Sequence, residues 1–252
     1  VVDTSGRSAV LSKSLDLQKK LTDHPTAALW ARFRGVKDWD GAEVHRKYKR
    51  YGSTVFTSRG GATNHISGYG WWCWIIPLKG GDFSAGLVFD TRTFSPPAGG
   101  TPGERLKAHL LKHPVTREFF SEAEPVEGDI KARAQLPYFS QKLAGPGWQL
   151  AGDAAGFIDP LYSPGMDYCS WTVRMAFARI SSEWKGMPVD LDNINADWSH
   201  SYRTWFEALY KDKYYYIGDA ELMSAAYLMD ITLFFAGPGR TALKEMGGKD
   251  LW

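Results

Sequence analysis

The chain has 252 residues, 44% hydrophobic and 23% charged, with 11 Trp, 12 Tyr, 13 Phe and a formal net charge of +2. That length supports one large core or two smaller ones, and the composition is that of a folded chain rather than a disordered one. Near-neutral charge, with no basic stripe interleaved with aromatics, gives no case for a nucleic-acid partner.

Aromatic residues make up 14%, which fits either a flat-ligand site or an aromatic-rich core. Cys73 and Cys169 both lie in apolar settings, and two free buried thiols in a reducing compartment are a simpler reading than one disulfide. No run approaches the ~18 to 20 apolar residues that span a bilayer, and the first residues lack a basic-then-apolar signal pattern. The expectation is a cytoplasmic protein without a membrane span.

In chain order, Val1–Arg7 (VVDTSGR) reads as a strand end turning at Ser5-Gly6. The chain starts inside that strand pattern without an initiator Met, so a fragment is expected. Ser8–Leu17 reads as a short helix or irregular exit. Ala27–Gly35 partly alternates, as a strand with one wet face does. The basic cluster His45–Arg50 reads as solvated, and Val55–Ser58 as another short strand. From Thr63 to Asp90, two apolar runs flank Lys79-Gly80-Gly81-Asp82, a hairpin turn in which Gly supplies positive φ. In the first run Trp72, Trp74 and Ile76 share one face while Trp71, Cys73 and Ile75 share the other; the pattern favours burial on both sides. His65, in the polar turn before them, reads more readily as a structural histidine than as a ligand or catalytic group. Gly68-Tyr69-Gly70 lacks the third Gly and the helix of a dinucleotide loop, and Lys79 reads as exposed.

Phe94–Gly103 is a Pro/Gly loop. Glu104–Lys112 has helical spacing, Pro114–Phe120 starts another helical turn, and Glu122, Glu124, Glu127 and Asp129 form a solvated acidic cluster without a metal-like His partner. Ala132–Ser140 returns as a strand. Trp148–Ala151 is a short apolar strand, followed by Gly152-Asp153 and a Pro-broken loop holding Asp159, Pro160, Ser163 and Pro164. Met166, Cys169, Val173, Phe177, Ile180 and Trp184 then recur every three or four residues, a helical stripe expected to face a core. Ser163 suits the N-cap and Pro164 the first helical position. Physics alone leaves two readings of this loop: an anion or polar cofactor over the helix start, or a plain structural turn. Gly186-Met187-Pro188 ends the helix. Asp197–Tyr216 and Ala220–Phe235 read as two more helices, each with a core-facing stripe: Trp198, Tyr202, Trp205, Phe206 and Leu209 in the first, Leu222, Ala226 and Met229 in the second. The tail from Gly237 is expected to fray.

Two of these stretches carry a resemblance. GDAAGFIDPLYSPGM (Gly152–Met166) resembles the second FAD-contacting motif of aromatic-hydroxylase-type flavoproteins, in the version found in flavin-dependent halogenases. Trp72-Cys73-Trp74-Ile75-Ile76-Pro77 fits the W-x-W-x-I-P signature of those halogenases at every fixed position. VVDTSGR resembles, more weakly, the strand end that passes the dinucleotide. The resemblance implies an α/β (α+β) fold: part of an FAD-binding, Rossmann-like domain with a β-sheet substrate domain and C-terminal helices. Its divisions would be 1–17 and 141–186 for the FAD side, 18–140 for the substrate sheet and 187–252 for the helical region.

The resemblance further implies FAD as cofactor, reduced by a partner flavin reductase or by NAD(P)H, with O2 and a small aromatic or apolar substrate. Asp153 would bind the ribityl chain. Gly165 and Met166 amides would face the flavin, and Asp3, Gly6, Gly152, Pro160 and Ser163 would line the cofactor. Trp72, Trp74, Ile76 and Pro77 would wall the pocket. Asp159 and His65 are the catalytic candidates.

The family's glycine-rich phosphate loop and directing lysine would lie upstream of Val1. Relatives hold halide with consecutive amides in the stretch matching Ser163-Pro164-Gly165, and Pro164 has no N–H to give. Tryptophan-type members carry Glu where Tyr162 stands. The leading expectation is therefore an FAD-dependent oxidoreductase or monooxygenase of the halogenase-like group. Halogenation is the alternative, and a non-catalytic incomplete chain or binding module a third; isoprenoid reductases share the GD-type motif but lack W-x-W-x-I-P.

Overall fold

The computed structural model describes residues 1–49 and 58–239. Most of the strand expected over 55–58, Arg50 and the tail beyond 239 lie outside them. The centre is an antiparallel sheet ordered β4-β5-β6-β3-β7, with β8 also paired to β3: β3 is Thr26–Arg34, β4 Asn64–Gly68, β5 Trp71–Pro77, β6 Phe83–Asp90, β7 Glu124–Pro125 and β8 Lys131–Arg133. The β5–β6 hairpin turns where expected: Leu78 and Asp82 close it with a 2.8 Å backbone bond, and Gly80 and Gly81 take φ of 98° and 89°, values that β-carbon sterics make unfavourable for other residues.

The sheet is covered on both faces. Trp71, Cys73 and Ile75 from β5 pack with Leu29 and Phe33 of β3 beneath the helices α3 (Pro102–Leu110) and α4 (Pro114–Phe120). The two short helices before them are α1 (Val10–Ser14) and α2 (Ala42–Lys47). Thr101 and Glu104 form a reciprocal capping box at the start of α3, the arrangement that satisfies two orphan amides at once. On the opposite face Trp72 and Ala28 join a second, aromatic-rich core. Strand β3 is therefore buried on both sides over most of its length. The single wet face expected of it is corrected, because Leu29, Ala31 and Phe33 pack into the first core on one face while Ala28 and Trp30 pack into the second on the other.

Two small sheets flank this body. The strands β1 (Val2–Asp3), β11 (Trp148–Leu150) and β10 (Ala144–Gly145) form one, with β1 parallel to β11. The strands β12 (Gly156–Phe157), β9 (Tyr138–Ser140) and β2 (Gln18–Lys20) form the other. The strand expected across Ala132–Ser140 is thus two strands in different sheets.

Three longer helices complete the chain: α5 (Gly165–Trp184), α6 (Leu191–Trp205), whose last turn widens over Phe206–Tyr210, and α7 (Ala220–Phe234). The aromatic stripe of α6 is in the second core, where Trp198, Tyr202, Phe206 and Leu209 are buried. Two other stripes are corrected. Val173, Phe177, Ile180 and Trp184 on α5 face outward, Trp184 with 90% exposure, while Thr172, Ala176 and Arg179 are buried instead. On α7 Leu222 and Met229 are also exposed, and it is Asp230 that is buried. Ala220–Gly237 is moreover 18 residues long with mean hydropathy 1.2, so a run of bilayer-spanning length does exist. One such helix is weak support for a span, and Asp230 ties this one to the rest of the fold.

Candidate functional site

The parallel pairing of β1 with β11 sets the geometry of the site. Ala151 N–H donates to the Asp3 carbonyl at 3.0 Å, so the Ser5-Gly6 turn and the Gly152–Ala154 turn leave the same sheet edge side by side. Asp3 is 6% exposed and accepts from the amides of Ser5 (2.9 Å) and Leu11 (2.8 Å), fixing the turn into α1. Burial pushes the Asp3 carboxyl up, but the Ser5 hydroxyl and these two amides bring it net below its ordinary value. Gly152 stands at φ 57° and sends its amide into α5, to Thr172 Oγ1 at 2.8 Å. An added Cβ there would sit at ordinary contact distance, 3.4 Å from Cys169 Sγ, so it is the left-handed backbone angle that glycine answers.

Asp153 follows on the half-buried side of this turn. Tyr138 Oη–H donates to its carbonyl at 2.7 Å, whereas among the described residues no group donates to its carboxylate. Burial raises the Asp153 carboxyl above its ordinary value, with the Arg7 guanidinium pulling the other way. Arg7 itself is clamped, lying over the rings of Tyr138 (4.8 Å) and Phe157 (4.7 Å) and bonding the Leu136 carbonyl at 3.0 Å.

Beyond Phe157 the loop is pinned from beneath. Asp159, 1% exposed, accepts from its own Leu161 amide at 3.0 Å and from Tyr214 Oη–H at 2.8 Å. His24 Nε2 lies 3.5 Å from the same carboxylate, within ion-pair reach but outside hydrogen-bond geometry. Tyr162 and Ser163 then take φ of 65° and 56°, two successive left-handed residues without a glycine. Ser163 N–H donates to the Pro160 carbonyl at 3.0 Å. The N-cap expected at Ser163 is corrected: Pro164 occupies that position, and no side chain caps α5. Helix geometry leaves the first-turn amides of Gly165, Met166 and Asp167 without intrahelical acceptors. Nothing lies within 4 Å of a Cβ built on Gly165, and Met166 is 74% exposed. The arrangement offers amides and a positive dipole end to an electron-rich group, with a carboxylate acceptor on the neighbouring turn.

The tryptophan stretch meets this loop from below. Trp72, 2% exposed, packs in one core with Leu150, Ala155, Ile158 and Leu161, and its Nε1–H donates to Tyr214 Oη at 2.9 Å. Trp74 is half-buried against it, ring centroids 5.8 Å apart, and donates to Ser84 Oγ at 3.2 Å. Ile76 and Pro77 are half-buried at the hairpin end of β5. His65 lies across from Trp74 on β4, its ring 5.1 Å from that of Trp72, and burial lowers its imidazole. Its ring leans on Trp72 while the residue stays exposed on β4, and among the described residues it makes no hydrogen bond to Asp159.

An open cleft of about 460 Å³ separates α5 from α6 and the end of α7, lined among others by Tyr162, Tyr168, Trp171, Trp205 and Phe234. At its edge Tyr162 Oη–H donates to Asp230 Oδ2 at 2.8 Å, and Asp230 pairs with the buried Lys213 ammonium. Sequence reading missed Lys213, Tyr214 and Asp230. A carboxylate alone in an apolar helical run was the available sign for Asp230; nothing in KDKYYY distinguishes Lys213 or Tyr214. Among the described residues no group of three His, Cys, Asp or Glu could hold a metal.

No family model matches the chain. It is 31% identical over 172 residues to sulochrin halogenase gedL of Aspergillus terreus, covering 66% of this chain and 29% of that protein. In structure it superposes on a triple mutant of the flavin-dependent brominase Bmp2 with a TM-score of 0.67 and 22% identity, covering 100% of this chain and 58% of the other. A variant of halogenase PltM in complex with FAD gives 0.63 and 22%, covering 74% and 37%. The chain therefore spans less than a third of gedL and little more than half of Bmp2, and the structural likenesses are of fold.

Proposed function

We propose that this chain, halogenase-like in sequence and α/β in fold, holds the ribityl and ring side of an FAD, and that the protein acts as an FAD-dependent oxidoreductase on a small aromatic or apolar substrate. The observation that carries the reading is the Asp153 carboxylate, half-buried and without a donor of its own among the described residues, beside the uncapped start of α5. Burial without a partner costs free energy, and a ribityl hydroxyl would supply the missing bond. No atom lies within 4 Å of a Cβ built on Gly165, so the helix start is open on that side.

Bound and reduced, FAD supplies with O2 the oxidising equivalent passed to the substrate. The chain's own residues would do the rest. Asp153 holds the sugar-alcohol tail. Gly165 and Met166 amides stabilise negative charge at the ring edge, as preorganised dipoles do. Asp159 and Tyr214 hold the loop in register from the core, and Trp72 and Trp74 back it from the sheet. Residues 1–17 and 141–186 form the cofactor side, 18–140 the sheet, and 187–252 the helical wall. A flavin reductase or NAD(P)H supplies electrons, and the unpaired Cys73 and Cys169 suit a cytoplasmic location.

Halogenation is the second reading, favoured by the named activities of the relatives. Against it, Ser163 N–H is committed to Pro160 and Pro164 has none, which leaves Gly165 alone of the three to meet a halide. Each hydrogen bond to a charged group is worth about 1.5–3 kcal/mol, roughly tenfold to a hundredfold in affinity. The test is reconstitution with FAD, then reduced flavin and O2 with a phenolic substrate, with and without bromide. Hydroxylated product without bromide supports the oxygenase; bromide-dependent product supports the halogenase. Protein that stays colourless and takes up no flavin overturns both.

A further inference from the structure

We propose that the outward face of α7 pairs with the same face of a second copy of this chain, the two helices antiparallel about a two-fold axis at Met229. Nothing about this surface depends on FAD.

Most of α7 is left uncovered by its own chain. Asp230 is its one buried residue, and Asp219 caps its start through the amides of Glu221 and Leu222. Leu222, Leu228, Met229 and Leu233 are exposed, Leu228 and Met229 at 66% each. So is Phe235, on the widened turn that follows. Between Ala220 and Phe235 only Glu221 and Asp230 carry charge. Single soluble chains rarely show apolar patches beyond a few hundred Å². These five large side chains offer on the order of 600 Å² per chain, so two copies would cover about 1,200 Å², the lower bound of a stable specific interface.

The spacing says which partner fits. Leu222, Ala225, Met229, Thr232 and Ala236 recur at alternating steps of three and four, and all five are exposed. That is the pattern by which one helix seats along another. At 3.6 residues per turn the line lies about 120° round the helix from Asp230, so the pairing leaves the Asp230–Lys213 anchor in place. Turned end for end about Met229, the line is complementary to itself. Leu222 and Ala236 stand seven residues to either side of Met229, and Ala225 and Leu233 four. In the antiparallel pair Leu222 therefore meets Ala236 of the second copy, and Ala225 meets Leu233. Each large side chain falls opposite a small one, which lets the backbones approach closely while the space between them is filled. A two-fold contact needs this self-complementarity. A lipid surface asks only for apolar character and leaves the alternation without a reason.

The full chain is sedimented to equilibrium across its concentration range. A reversible monomer–dimer equilibrium is expected, with a dissociation constant on the order of 10 μM for an interface of minimal size. Met229→Glu sets two carboxylates face to face at the axis and is expected to weaken the dimer at least about tenfold. Met229 is exposed in its own chain, so the variant keeps its fold, which circular dichroism checks. Met229→Cys is expected to form an inter-chain disulfide on mild oxidation, above the background of the unaltered chain with its free Cys73 and Cys169. Leu222→Cys is expected to do so only when mixed with Ala236→Cys. A chain that stays monomeric at every concentration overturns the inference. So does a dimer that survives Met229→Glu, or Leu222→Cys linking to itself as readily as Met229→Cys does. Monomers that instead bind phosphatidylcholine vesicles, and lose that binding in Met229→Glu, overturn it in favour of a lipid partner. No flavin enters these measurements, so failed FAD uptake by a chain that dimerises sinks the proposed function alone.

Discussion

Trp72 and Asp159 share one hydroxyl: the Trp72 indole N–H donates to Tyr214 Oη at 2.9 Å, and Tyr214 donates onward to Asp159 Oδ2 at 2.8 Å. The relay ties the tryptophan strand to the floor of the Asp159–Ser163 loop, wholly inside the protein. Burial and Asp159 raise the Tyr214 phenol well above its ordinary value, so the proton stays where the relay needs it.

Tyr214→Phe keeps the ring and removes both bonds. A buried indole N–H and a buried carboxylate oxygen each lose a partner, at about 1–3 kcal/mol apiece. Urea denaturation is expected to show a loss of about 2–5 kcal/mol. A loss under 1 kcal/mol would mean that the relay is not what holds the loop.

Asp153 separates function from stability. Its folded pKa is raised, chiefly by burial, so the flavin-free fold is favoured by the protonated form, and this contribution fades as pH rises through the folded value. Once ionised, the group disfavours the flavin-free fold. Asp153→Asn is therefore expected to melt at or above the temperature of the unaltered chain at pH 7 while binding FAD about tenfold to a hundredfold more weakly. Unchanged FAD affinity would remove Asp153 from the site.

The Lys213–Asp230 pair is buried at both ends. Lys213→Met leaves Asp230 without its counter-charge and is expected to cost about 3–5 kcal/mol. Replacing both, Lys213→Met with Asp230→Leu, recovers most of it, because a matched apolar pair avoids the desolvation penalty. Thermal melts of the two variants, compared with the single Asp230→Leu, check the coupling.

His109 sets an acid limit. Burial, then the neighbouring His113 and Lys112 charges, lower its imidazole from 6.5 to about 4, and its ring meets the edge of Trp71 at 4.3 Å. The folded state binds fewer protons than the unfolded one over that interval. Stability is present above pH 6.5 and is lost as pH falls towards 4, by on the order of 3 kcal/mol at 1.36 kcal/mol per unit. His109→Phe is expected to flatten that limb of the pH–stability curve.

Much of this architecture is legible in the residues themselves. Gly80-Gly81 marks the hairpin, the helical spacing from Glu104 marks α3, and Trp148–Ala151 followed by Gly152-Asp153 marks the strand and turn at the site. Spacing identifies helices but not which side is covered. The stripe Val173–Phe177–Ile180–Trp184 has helical period, yet the side that packs is the one bearing Thr172 and Arg179, because Thr172 satisfies Gly152 and Arg179 satisfies the Trp148 and Gly145 carbonyls. Hydrogen bonds that depend on distant backbone leave no periodic trace. The same holds for Tyr214, whose two partners come from β5 and the Asp159 loop, and for Ser163, whose capping propensity is overridden by a left-handed backbone.

The consecutive left-handed angles at Tyr162 and Ser163 bear on the order in which the molecule assembles. Each such residue costs on the order of 1–2 kcal/mol and is kept only while neighbours over-determine it. Those neighbours are Asp159 fastened to the core, Asp230 on α7 and the first turn of α5. This corner can therefore take shape only after sheet and helices have docked, and it is the first to slacken when α7 detaches, which makes the amides around Ser163 the early reporters of any opening of the fold.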